Sequence, residues 1–134
     1  MADLFILAIF GHLLGDYFFQ NKTMALKKSD KGKIGIQWCT GHCLLYTVLV
    51  CLLTWQIFSP WFALSVFIPH WLIDRFSLAN LWLKLIRGRT FESAYGGGLG
   101  YRDFDVAFTA IVYTIVDNSM HFFCLWISLR LLAV

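Results

Sequence analysis

Four apolar runs, at about residues 4–20, 34–58, 60–86 and 104–134, take up most of a chain of 134 residues. Each is at least as long as the ~17 residues that the shortest membrane-spanning helices need. In lipid a backbone must satisfy its own hydrogen bonds, so runs of this kind fold as helices. Charged residues make up 14% of the chain and hydrophobic ones 59%, whereas a soluble domain is about a quarter charged. The balance argues against a soluble globular enzyme, a disordered chain and a secreted disulfide scaffold. The expected fold class is all-α: a polytopic membrane protein, one domain over residues 1–134, built as a bundle of four transmembrane helices.

Charge placement orients that bundle. Of eleven Lys and Arg, nine lie in or beside two loops: Lys22, Lys27, Lys28, Lys31 and Lys33, then Lys84, Arg87, Arg89 and Arg102. Basic loops stay cytoplasmic, which predicts both termini outside. Ser59-Pro60 reads as a helix cap with proline at the first helical position, joining the second and third runs in a tight outer turn. Trp55, Trp61 and Trp126 fall near the expected outer boundary, Trp38 and Trp82 near the inner one, as an aromatic belt requires. The N-terminus lacks the basic region of a cleaved signal peptide. Cys39, Cys43, Cys51 and Cys124 all fall in apolar runs, where they read as small apolar residues and not as disulfide partners.

Polar placement carries the chemistry. All four histidines (His12, His42, His70 and His121) lie inside the runs, together with Asp16, Asp74 and Asp117. Ionisable side chains cost a few kcal/mol each at the bilayer centre and mark functional sites by default. His12/Asp16, His70/Asp74 and Asp117/His121 are each spaced by four, which stacks a pair on one helix face ~6 Å apart along the axis. Counting residues from the run ends puts His12 and His70 at one depth, Asp16 and Asp74 a turn further in, and His42 level with the aspartates. His121 lies a turn nearer the outside. Imidazole and carboxylate suit zinc and other borderline divalent metals, and bundle cores build such sites from facing helices. His12, His42, His70, Asp117 and His121 are therefore the expected ligands of a divalent metal, zinc first. Asp74 and Asp16 are the expected catalytic bases.

Gln20, Tyr46 and Tyr113 each stand one turn from a candidate group and are expected to orient it. Asn118 is expected to face elsewhere. Arg75, Arg87 and Arg89 are candidate contacts to an anionic headgroup, and Pro69 predicts a kink before His70. The segment with Gly96, Gly97, Gly98 and Gly100 lacks the Lys-Ser/Thr ending of a phosphate loop and reads as a mobile lid or linker. A weak repeat relates Gly11-His12-Leu13-Leu14-Gly15-Asp16-Tyr17-Phe18 to Pro69-His70-Trp71-Leu72-Ile73-Asp74-Arg75-Phe76. Two parallel hairpins about an axis along the membrane normal would produce it.

At His12-x3-Asp16-x3-Gln20, Lys27-Lys28, His42-x3-Tyr46 and His70-x2-Ile73-Asp74-Arg75 the chain resembles a bacterial and phage family of small membrane proteins, catalogued as a domain of unknown function. The match covers about the first 80 residues. It implies a four-helix fold in the bacterial inner membrane and no established activity. The repeated His-x3-Asp is also similar to inner-membrane proteins described as metal-dependent hydrolases, which implicates His12, Asp16, His42, His70 and Asp74.

The leading expectation is an intramembrane metal-dependent hydrolase acting on a lipid or lipid-linked ester or phosphoester near the inner leaflet. Its partner is membrane lipid, with no nucleic acid. A His/Asp translocator of protons or metal ions, working as a homodimer, is one alternative. Haem ligation by His12 and His70 is another, weakened by an aspartate one turn below each histidine. In a further alternative the chain is a structural or partner-binding subunit whose polar residues hold helices together.

Overall fold

The computed structural model describes residues 2–97 and 100–132. Gly98 of the glycine segment, and Ala133 and Val134 at the end of the last run, lie outside the described residues. The chain forms α1 (Ala2–Leu13), a π-helix (Leu14–Phe18), α2 (Lys22–Lys27), α3 (Lys33–Leu53), α4 (Pro60–Arg75), α5 (Leu78–Arg87), α6 (Phe91–Tyr95) and α7 (Arg102–Leu132). The fold is all-α, as expected.

The expectation of four spanning helices needs correction. Among the described residues two helices are long and apolar enough to cross a membrane, α3 with 21 residues and α7 with 31. Along the first run, α1 has only 12 residues from Ala2 before the π-helix takes over at Leu14. The third run is split. α4 continues through Pro69 to Arg75, and the break comes at Phe76–Ser77, where Ser77 adopts a left-handed φ of +47°. That conformation ends a helix for any residue with a Cβ. The second run stops at Leu53 because Trp55 turns left-handed at φ +59°. Pro60 then restarts the helix, with the Ser59 hydroxyl accepting from the Phe62 amide at 3.4 Å.

α1 packs on α3 and α7, and α4 packs on the same two helices. Among the described residues the backbone of α1 stays clear of α4 and that of α3 clear of α7, so each pair occupies opposite corners of a four-cornered bundle whose centre their side chains share. Ala8, Tyr46, Val50, Phe62, Val66, Leu125 and Leu129 fill one end of its core. The α1–α3 corner is the tightest. A Cβ on Gly11 would lie 2.9 Å from Val50 Cα, and one on Gly15 would lie 2.8 Å from Tyr46 Cδ2. Two small residues four apart let helix backbones approach closely, and here they bring His12 and Asp16 up to α3.

The segment expected to be a lid or linker is anchored on both flanks. α6 has a reciprocal cap between Thr90 and Ser93. Arg89 forms an ion pair with Asp105, donates to the Thr109 hydroxyl at 3.0 Å and lies over the Phe108 ring. Phe91 meets Tyr113 edge-on at 5.8 Å. These contacts lay α6 along α7. All four cysteines are free thiols.

Replacing Gly15 by valine should force α1 away from α3. We expect the variant to lose about 1–3 kcal/mol of stability, read as a lower melting temperature in mild detergent, while Gly41→Ala, in the interior of α3 where a Cβ meets open space, leaves it unlowered or slightly raised.

Candidate metal centre

The π-helix positions the first donor. Its wider turn closes with the Phe19 amide donating to the Leu14 carbonyl at 2.9 Å, and such turns concentrate at functional sites. It directs Asp16 into the bundle, where Asp16 Oδ1 lies 3.2 Å from His42 Nε2 and 3.6 Å from His70 Nε2. Asp74, on the last turn of α4, places Oδ2 at 3.2 Å from His42 Nε2 and 3.3 Å from His70 Nε2. The two Nε2 atoms are themselves 3.1 Å apart.

These distances have a simple meaning. A tetrahedron with metal–ligand bonds of ~2.0–2.1 Å has edges of about 3.3 Å. The five separations given above run from 3.1 to 3.6 Å. Without a cation the arrangement is overcrowded. His42 Nε2 has four polar neighbours, the fourth being the Gln20 amide nitrogen at 3.0 Å, and one ring nitrogen cannot serve them all. Asp16 Oδ1 and His121 Nε2 are buried without a hydrogen bond, and Asp74 Oδ2 already has a cationic neighbour, Lys28 Nζ at 2.8 Å. Buried polar atoms are normally paired, and inward-facing lone pairs of this kind suit a cation. Asp16, His42 and His70 form one group with metal-ligating geometry, and Cys43, His70 and Asp74 form another.

The other two histidines adjoin this cluster. His12 Nε2 donates to Asn118 Oδ1 at 2.6 Å, which leaves Nδ1 to accept from the Tyr46 hydroxyl at 3.2 Å and to face Asp16 Oδ2 at 3.6 Å. His121 Nδ1 donates to the Asp117 carbonyl at 2.8 Å, so its Nε2 lone pair points inward, 4.0 Å from Asp74 Oδ1. Hydrogen bonds of this sort fix the tautomer that a metal requires. His12, Asp16 and His121 make a third group of ligand spacing. Tyr46 stacks on His70 with ring centroids 3.7 Å apart.

Not every residue singled out in the sequence reaches the centre. Asp117 touches it through His121, with Oδ2 3.8 Å from Nδ1, and Tyr113 lines the cleft beside it. Arg75 donates to the Asp30 carbonyl at 2.7 Å, while Arg89 is held on α7 and Arg87 is exposed. Asn118 faces the site, against expectation, because its amide bridges His12 and the Tyr17 hydroxyl.

Lys28 was not singled out for the site, yet its Nζ lies 2.8 Å from Asp74 Oδ2. Nothing in the spacing of a basic loop signals that one lysine folds back under the bundle. Burial opposes its charge, but the carboxylates of Asp74 and Asp16 prevail and hold the ammonium above the ordinary lysine range. A raised pKa stabilises the fold fully below the unfolded value of ~10.4 and loses that contribution only as pH climbs through the folded value, so Lys28 stays charged at neutral pH.

A family model described as "Protein of unknown function (DUF3307)" matches residues 4–133, well beyond the first 80 residues that carry the motifs. No curated protein and no solved structure matches the chain.

Lys28 and a metal ion would compete for the same carboxylate oxygen. Lys28→Met is therefore expected to tighten divalent-metal binding about tenfold, ~1.4 kcal/mol, in a chelator competition assay, and to lower the melting temperature of the metal-free protein. Unchanged or weaker affinity would mean that Asp74 is not a ligand.

Proposed function

We propose that this chain, which belongs to the DUF3307 family of proteins of unknown function, is a membrane-embedded metal-dependent hydrolase that acts on a lipid or lipid-linked ester or phosphoester at the inner leaflet. One observation favours hydrolysis over translocation: among the described residues an open polar cleft meets the donor cluster at one end, while the opposite side is packed. A cleft of about 220 Å³, lined by Asp16, Gln20, Lys28, Tyr113, Thr114 and Asp117, leads to it from the end that bears the first basic loop. On the other side Tyr46, Val66, His70, His121 and Leu125 close together and leave no space for a water molecule. A translocator needs a second opening.

The membrane placement is supported by what the surface exposes. α7 buries only Thr109, His121, Leu125, Ser128 and Leu129 of its 31 residues, unlike the core helix of a soluble protein. Phe10, Phe58, Trp61, Phe104 and Phe123 are all more than half exposed. Apolar surface on this scale marks contact with lipid or a partner. α4 and α7 also frame an open apolar groove of about 490 Å³. α5 buries Ala79 and Leu83 and exposes Leu81, Leu85 and Ile86 beside Lys84 and Arg87, which suits a helix lying in the inner interface.

In this reading Asp16, His42, His70 and Asp74 hold the ion and Lys28 receives the anionic group of the substrate. A divalent cation in that donor set supplies Lewis acidity, polarising the scissile group and making water a better nucleophile. Asp117 takes the proton of the attacking water as the new bond to phosphorus or acyl carbon forms. The bond to the departing oxygen breaks, and that oxygen takes a proton from water in the cleft. Asp16 and Asp74 serve here as ligands, since their inward oxygens already stand at ligand spacing from both imidazoles.

Purified protein in mild detergent should release product from mixed micelles containing anionic phospholipid, and a chelator should stop it. Asp117→Asn should keep the metal and lose at least ~100-fold in turnover. A metal-loaded protein that hydrolyses none of the ester or phosphoester lipids supplied would overturn the hydrolase reading. Orientation is tested separately: cysteines introduced by Ser29→Cys and Ser93→Cys should resist an impermeant thiol reagent added to intact cells, and ready labelling of both would reverse the topology.

A further inference from the structure

The donor cluster has an approximate two-fold arrangement that the reading above does not use. α1 and α4 sit at opposite corners of the bundle, as do α3 and α7. Exchanging within these pairs sends His12 to His70, Asp16 to Asp74 and His42 to His121. The carboxylate contacts follow the same exchange, with His12 using Nδ1 where His70 uses Nε2. Asp16 Oδ1 faces His42 Nε2 at 3.2 Å, and Asp74 Oδ1 faces His121 Nε2 at 4.0 Å. Asp74 Oδ2 faces His70 Nε2 at 3.3 Å, and Asp16 Oδ2 faces His12 Nδ1 at 3.6 Å. Ring centroids are 5.1 Å apart for His42 and His70, and 5.2 Å apart for His12 and His121.

We infer that the centre holds two divalent cations, the second bound by His12, Asp16, Asp74 and His121, with both carboxylates bridging. This rests on the proposed metal site at His42 and His70 and adds a second ion beside it. Each aspartate turns one oxygen toward the His42/His70 pair and the other toward the His12/His121 pair, the disposition that joins two metals ~3.5–4 Å apart in hydrolytic centres. The His121 Nε2 atom is buried, unpartnered and aimed at Asp74, and its Nδ1 proton is committed to the Asp117 carbonyl. His12 Nδ1 also carries a lone pair, because Nε2 donates to Asn118, and a cation there would take it from the Tyr46 hydroxyl, which now donates to it at 3.2 Å. The second set is wider than the first, so it leaves more room for water or substrate oxygen, whereas an ion in the first would expand to five-coordinate to take one. Asp117, beside His121 and lining the cleft, stands at that more open position.

The metal-to-protein ratio of the whole chain in mild detergent, measured after zinc loading and removal of excess, should be two. His12→Asn and His121→Asn should each lower it to one, and so should His42→Asn. Asp16→Asn should lower it below one, since it removes a donor from both sets. Cobalt-loaded wild type should show an electron paramagnetic resonance signal weakened by coupling between the ions, and His121→Asn should restore the full signal per cobalt. The ratio and the spectrum of the wild type do not depend on the variants folding. A wild-type ratio of one, lost in His42→Asn but kept in His12→Asn and His121→Asn, would overturn the second ion and leave the single site standing. A ratio of zero would overturn both.

Discussion

Two carboxylates forced into the same few ångströms of a bundle core govern the rest of this structure. Asp16 and Asp74 each point an oxygen at the same two imidazole nitrogens, within 3.2–3.6 Å. Taking a charge out of water costs several kcal/mol even after relaxation, and only close partners repay it. Lys28 brings one positive charge to the pair, and Asp117 adds a third carboxylate nearby. The histidines supply lone pairs but no fixed charge. The bundle thus concentrates negative charge where helix packing alone would put leucine, which makes mere cohesion between helices a poor account of it.

The scaffold around the carboxylates serves that concentration. Gly11 and Gly15 remove the side chains that would keep α1 off α3. Tyr46 closes the apolar end, donating to His12 and stacking on His70. At the opposite end the chain leaves a polar cleft. The polar centre is therefore packed toward the hydrophobic core and open toward the basic loop, where the cleft gives it contact with solvent.

Much of this was legible in the sequence, and the exceptions have local causes. Residues 34–58 and 104–134 announce helices by length and composition, and α3 and α7 appear there with small shifts at their ends. Spacing by four foretold that His12, His70 and His121 would each share a face with an aspartate. The breaks did not show. Ser77 and Trp55 take left-handed conformations that nothing in their side chains favours, so tertiary packing decides where those helices stop. The π-helix at Leu14–Phe18 is invisible to a count that assumes 3.6 residues per turn. Lys28 and Asn118 escaped because both act on distant parts of the chain: the lysine folds back across a turn, and the asparagine reaches the His12 ring 106 positions away.

The order of the donors along the chain sets the order in which the centre can be assembled. Asp16, His42, His70 and Asp74 have all been synthesised once α4 is complete. His121 belongs to α7, which emerges only after α5, α6 and the glycine segment. No helical hairpin owns a full donor set, so neither half of the molecule can mature alone. Biogenesis must bring three helices together before the first set exists, and a fourth must dock before His121 can join it.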